Sequence, residues 1–196
     1  MRRRVLMVGR TRYALPLEQS LARKFDALSD VFDLRVVGAA RGRGDRGNRT
    51  FSLLRPLPVR ALDAPAFYGT LPLRIARELG RFRPDAIVAQ SPYEASAALA
   101  ARALVRSDAA VIVEIHGDWQ TWSRLYGSPL RALATPTADR VAPWIVRRAD
   151  AVRTLSPFTE GLVREAGADP TMSFTTYTEL TAFSGPPVVA LPPRPT

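Results

Sequence analysis

Short apolar runs alternating with amphipathic stretches constrain this chain more than any other feature. Val5–Val8, Phe32–Val37, Asp85–Gln90, Ala109–Ile115 and Ala151–Leu155 have strand length and strand composition. Leu17, Leu21, Phe25 and Leu28 are spaced for a helix over Pro16–Leu28, and Ala66–Phe82 reads as another despite Gly69 and Pro72. Ser91-Pro92-Tyr93-Glu94 opens a helix running to Arg106, with a capping serine, a proline at the first helical position and a glutamate three residues on. Asp118–Leu125 is expected as a short helix, Leu130–Arg148 as a longer, Pro-interrupted one, and Ser156-Pro157 as the start of a helix ending at Gly167. Strands separated by helices are βαβ units, which assemble into a parallel sheet with right-handed crossovers. Mostly apolar strands need cover on both sides. The expected fold is α/β, a Rossmann-like parallel sheet with helices on both faces.

The remainder of the chain is less regular. Arg41–Arg49 is a turn-rich, exposed Arg/Gly loop, and Pro56 and Pro58 make Phe51–Arg60 extended. After Gly167 the pattern decays into the Thr-rich stretch Thr171–Phe183 and a proline-rich tail. This divides the chain into a domain over 1–183 and a linker over 184–196. The 196 residues suit one domain with a real core.

No stretch approaches the roughly 20 apolar residues of a membrane span. The basic N-terminus superficially resembles a signal peptide, but its apolar run, Val5–Val8, falls short of the roughly 7–15 residues of a secretory core. It reads as a first strand, and the chain as cytoplasmic. With no cysteine and one histidine, neither a disulfide framework nor a metal site is expected. The net charge of +10, from 28 basic and 18 acidic residues, favours anionic partners. Lys24 is the only lysine, so the excess is arginine, and a GC-rich genome explains that skew equally well.

Val111–Trp119 carries the sharpest functional signal. It is an apolar strand ending at the chain's single histidine, His116, followed by Gly117 and Asp118. In an open parallel sheet, ligands bind beyond the C-terminal ends of the strands. An imidazole there can hold a hydroxyl or a phosphate, or exchange a proton near neutral pH. Glu114 projects to the same face as His116, where it either orients the imidazole or meets an arginine. Asp118 is a helix cap before a catalytic acid. Trp119 and Trp122 share a helical face, with core packing as their default.

Gly9 is placed at the end of the first strand, with Arg10-Thr11-Arg12-Tyr13 leading to the first helix, where doubly wound folds keep a phosphate loop. Neither GxGxxG nor GxxxxGK[ST] is present, which speaks against a dinucleotide enzyme. Arg10 and Arg12 either pair with phosphate or belong to an ordinary turn. Ser91 and Ser156 cap helices whose N-termini face the same cleft edge, and no GxSxG surrounds Ser91. The Arg41–Arg49 loop is short and has no aromatic for base stacking, so nucleic acid is not an expected partner.

The order and spacing of several segments resemble the N-terminal, acceptor-binding domain of a family 4 glycosyltransferase with the two-domain GT-B fold. They are the Val5–Gly9 strand, Arg83-Pro84-Asp85-Ala86-Ile87-Val88, Glu114-Ile115-His116-Gly117-Asp118, Arg148-Ala149-Asp150-Ala151-Val152, and Leu155-Ser156 with the helix ending at Gly167. The resemblance covers nearly everything from Val5 onward.

It implies a retaining transferase that uses a nucleotide-sugar as co-substrate and needs no cofactor or dedicated metal. Gly9 matches the glycine loop facing donor phosphates and acceptor. His116 matches a histidine facing the transferred sugar, here the catalytic candidate. Arg10, Ser91, Glu114, Gly117, Asp118 and Ser156 complete the substrate-binding set. The family's Asn-Gly-Val-Asp segment is replaced by Thr176–Phe183.

The glutamate pair of the C-terminal donor domain is missing, so the chain by itself is expected to be inactive. Its partners would be that domain and a sugar, lipid or other small-molecule acceptor. A different class of reading is a non-catalytic basic module on an anionic membrane surface, at the inner face, or on a protein partner.

Overall fold

The computed structural model describes residues 2–45, 47–59, 62–119 and 140–173. Strands β1 (Arg3–Tyr13), β2 (Phe32–Ala40), β3 (Phe51–Leu54), β4 (Ala86–Ala89), β5 (Ala110–Ile115), β6 (Ala151–Thr154) and β7 (Met172–Ser173) form one sheet. Its order is β3-β2-β1-β4-β5-β6-β7, and every pairing between neighbours is parallel. The helices are α1 (Gln19–Val31), α2 (Asp63–Arg81), α3 (Pro92–Val105), α4 (140–148) and α5 (Pro157–Glu165). The chain is thus the expected Rossmann-like α/β domain. Strand order reverses between β1 and β4, which makes their C-terminal ends a topological switch point.

Side-chain alternation along the strands builds two cores. Leu6, Val8 and Val37 pack with Phe67, Leu71, Ile75 and Leu79 of α2, the alanines of α3, Ile145 and Val146 of α4 and Val163 of α5. Met7, Leu34 and Val36 turn the other way, onto Phe25 of α1, Tyr13 and Phe51. Among the described residues one helix covers that second face and four cover the first.

The helices start and stop for local reasons. Ser91 accepts the Tyr93 N–H at 3.2 Å with Pro92 at the first helical position. Ser156 forms a full capping box with Thr159, and Gly167 follows α5 at φ +77°. α1 begins at Gln19 rather than Pro16, and α2 begins three residues before Ala66 and carries Pro72 within it. Asp85 and Asp150 sit just before β4 and β6, and each carboxylate accepts a backbone N–H from the neighbouring strand. Arg4 N lies 2.7 Å from Asp85 Oδ2, and Val111 N lies 2.7 Å from Asp150 Oδ2. These aspartates pin the N-terminal edge of the sheet, away from the switch point.

One sequence-based boundary is corrected. β1 does not end at Gly9. It continues along β2 to Tyr13, through a register irregularity between Val8 and Arg12. The cause is tertiary. The Tyr13 ring packs 5.8 Å from Phe25 and 5.2 Å from Phe51, and Arg41 N donates to Tyr13 O at 2.8 Å. Gly38 makes room, since a Cβ there would sit 2.9 Å from the Tyr13 ring. No phosphate loop of the usual strand-to-helix kind forms at Gly9, because α1 starts ten residues later. The Trp122 reading, the continuations of the expected helices through 120–139, Thr176–Phe183 and the linker 184–196 lie outside the described residues.

Candidate functional site

The rim at the switch point is assembled from the ends of β1, β4, β5 and β6. Glu114 is the second-to-last residue of β5 and faces the α1 side, with only 4% of its surface exposed. Its register partner in β6 is Arg153. Glu114 Oε2 meets His116 Nε2 at 3.2 Å, and Oε1 accepts from the Arg153 guanidinium. Both sequence-level options for Glu114 are realised at once. Burial by itself raises the Glu114 carboxyl; the His116 hydrogen bond and the Arg153 charge outweigh it and hold it below the usual carboxylate range. An ionised Glu114 makes Nε2 the protonated ring nitrogen and leaves Nδ1 for a ligand. The His116 side chain is half exposed, and Gly117 beside it has open space where a Cβ would lie.

A second polar group adjoins this one. Thr11 donates to Gln90 Oε1 at 2.7 Å, and the Tyr13 hydroxyl lies near both side chains. Burial raises the Tyr13 phenol above its ordinary value despite the polar Thr11 and Gln90 side chains beside it, with the nearby Glu114 charge adding to the rise. The Gln90 side chain lies across Gly9, so a Cβ at position 9 would fall 1.9 Å from Gln90 Oε1. The glycine lets the Gln90 side chain lie against the backbone here and forms no turn.

On the α2 side, Ser91 Oγ donates to Glu94, whose other oxygen accepts from Tyr68 Oη at 3.0 Å. Glu94 is 3% exposed, so the side chain expected to complete a capping box is instead buried between two hydroxyls. Burial, followed by the Glu94 charge, drives the Tyr68 phenol strongly upward. Arg10 lies within electrostatic reach of Tyr68. Asp118 is half buried, and Trp119 joins the main core. The Ser156 hydroxyl is engaged with Thr159 N at 3.2 Å.

The structure therefore brings Gly9, Glu114 and His116 to one rim, with Arg10 and Ser91 on its α2 side. Arg153, Gln90, Thr11 and Tyr13 were missed from sequence. The parity that placed Glu114 with His116 would have found Arg153 had the β5–β6 register been known.

A family model described as "Glycosyl transferase 4-like domain" matches residues 9–172. The chain belongs to that family. Sucrose-phosphate synthase from Thermosynechococcus elongatus superposes with a TM-score of 0.63 at 12% identity, over 91% of this chain and 49% of that one. UDP-N-acetylglucosamine 2-epimerase from Rickettsia bellii gives 0.56 at 12% identity, over 89% and 44%. The UDP-GlcNAc 2-epimerase from Methanocaldococcus jannaschii gives 0.51 at 12% identity, over 89% and 45%. The chain spans less than half the length of these structures, and they share its fold, the Rossmann-like half of GT-B. A search of curated proteins finds no match. A fold shared by a synthase and two epimerases does not choose a reaction; family membership marks this domain as glycosyltransferase-like. No helix among the described residues is long and apolar enough to cross a membrane.

Proposed function

We propose that this domain is the acceptor-binding half of a retaining, nucleotide-sugar-dependent glycosyltransferase, completed in the cytoplasm by a second domain that holds the donor. The observation that carries this reading is the Arg153–Glu114–His116 chain at the switch point of a family 4-like domain. Glu114 fixes the imidazole, and Nδ1 then takes a sugar hydroxyl. The buried face beneath it keeps bulk water from one side of the reacting pair. The N-terminal turns of α3 and α5 carry partial positive charge at the same edge, suited to a departing diphosphate. Positioning the acceptor hydroxyl is the domain's principal contribution to rate.

The test uses a protein carrying both halves. His116→Ala is expected to cut turnover about a hundredfold while circular dichroism stays unchanged. Undiminished turnover in a folded variant refutes the assignment. The runner-up is a non-catalytic basic module, favoured by the net charge of +10. Flotation with anionic vesicles at low and moderate salt decides it, since absence of binding removes it.

A further inference from the structure

The last row of the sheet is polar on its α1 side. The pairs Val8–Ala89 and Ala89–Val113 are followed directly by Gly9, Gln90 and Glu114, and Glu114 pairs with Arg153. These four residues stand in one line across β1, β4, β5 and β6, with neighbouring strands about 4.8 Å apart. Parity turns Gln90 to the same side as Val88, which packs with the α1 core and is the side that Glu114 faces. The place of a side chain on Gly9 is taken by the Gln90 carboxamide, whose Cδ lies 2.3 Å from where a Cβ would be. A ligand approaching Gly9 from this side meets the Gln90 amide before the Gly9 backbone.

Most of the hydrogen-bonding capacity of the row is already committed. Gln90 Oε1 accepts from Thr11, and the two Glu114 oxygens meet His116 and Arg153. The Gln90 NH2 has two protons, and the nearby Tyr13 hydroxyl can accept only one of them. One amide N–H therefore stays open on half-buried Gln90, beside the acceptor Nδ1 of His116. A donor and an acceptor at adjacent strand ends match two neighbouring hydroxyls, one accepting and one donating. A phosphate oxygen satisfies the donor alone.

We propose that Gln90 is a specificity-determining residue of this rim. Its side-chain amide donates to the hydroxyl next to the one held by His116, so the ligand is a neutral sugar read through a vicinal diol. The inference rests on the transferase reading for the hydroxyl at His116 and adds the residue that reads its neighbour. Gly9 serves the site indirectly, by making room for the amide.

The experiment titrates glucose, and separately inorganic phosphate, into the isotopically labelled 196-residue chain, following the Gln90 NH2 and the His116 ring by NMR. Glucose is expected to shift both with one saturation curve, and phosphate to shift neither. Gln90→Met and Gln90→Glu separate donation from support. Both lose the amide donor, but the glutamate keeps an oxygen for Thr11. Each should weaken glucose about threefold to tenfold, read at His116, with circular dichroism unchanged. Native affinity in Gln90→Glu overturns the donor role, because a merely supporting side chain gives a loss in Gln90→Met alone. A glucose shift at His116 without one at Gln90, or no saturable shift at either, overturns the proposal. Phosphate that displaces glucose overturns the diol and makes the ligand an anion. Because binding is read without turnover, a failed glucose titration and undiminished turnover in His116→Ala are separate results.

Discussion

Replacing Glu114 by Gln tests whether the buried carboxylate organises the rim. The substitution keeps shape and removes charge. Glu114 makes two charge-assisted contacts, to His116 and Arg153, each worth about 1.5–3 kcal/mol when both groups are sequestered. The partners are not sequestered: the His116 side chain is 50% exposed and that of Arg153 is 31% exposed. Water therefore screens both contacts, and glutamine retains a neutral acceptor, so the net loss falls to about 1–2 kcal/mol. For a domain of this size that lowers Tm by about 2–8 °C at pH 7. The pH dependence is the sharper readout. The folded-state carboxyl lies below its ordinary value. Its stabilisation is therefore complete above the unfolded-state value, about 4.3, and is lost as pH falls through the folded value. Thermal unfolding from pH 7 to pH 3 should show a constant gap between the native chain and Glu114→Gln down to about pH 5, closing below it. A gap under about 1 °C at pH 7, or one that persists unchanged at pH 3, refutes the argument.

Gly9→Ala pushes the Gln90 side chain aside and with it the Thr11 hydrogen bond, a loss of about 0.5–1.5 kcal/mol; Gln90→Ala should cost about as much, and the double variant no more than either, in denaturant melts. Phe25→Ala removes a ring shared with Tyr13 and Phe51, at centroid distances of 5.8 and 4.9 Å. The expected loss is about 3–5 kcal/mol, with Phe25→Leu milder in the same urea titration. Ser156→Ala dismantles the only complete capping box among the described helices and should cost about 1 kcal/mol, read as a shift in the thermal midpoint.

The periodicity of the chain exposes the order of elements because burial of each strand and helix face is a local demand on the residues that form it. Leu6, Val8, Val111 and Val113 are apolar because they face the core built with α2, α3, α4 and α5. The segments Arg83–Val88 and Arg148–Val152 were legible for a different reason. Asp85 and Asp150 hold neighbouring strands together at the edge opposite the rim, so they report the architecture and not the chemistry. The β1 extension was hidden because its cause lies in Phe25, Gly38 and Phe51, residues brought in by other elements. Local pattern sees Gly9 and reads a turn. Arg153 was hidden likewise, since only register shows that it stands beside Glu114.

The two sides of the β1 extension carry different side chains. A turn at Gly9 would have sent the chain straight into α1 and left Arg10 and Arg12 at a helix N-terminus, competing for whatever anion bound there. Continuing as a strand fixes their side by parity. Odd positions reinforce the polar group of Thr11, Tyr13 and Gln90 on the α1 side. Even positions place two guanidinium groups over the Phe67 floor on the α2 side. A single-residue deletion within 10–12 would exchange these faces, drawing an arginine against the Phe25–Phe51 cluster and tyrosine toward Phe67 on the α2 side. A deletion of two residues would preserve the faces and shorten only the irregularity between Val8 and Arg12. The one-residue deletion should therefore be the more destabilising of the two, although it removes less of the chain. Equal stability of the two deletions in urea would show that parity does not govern this segment.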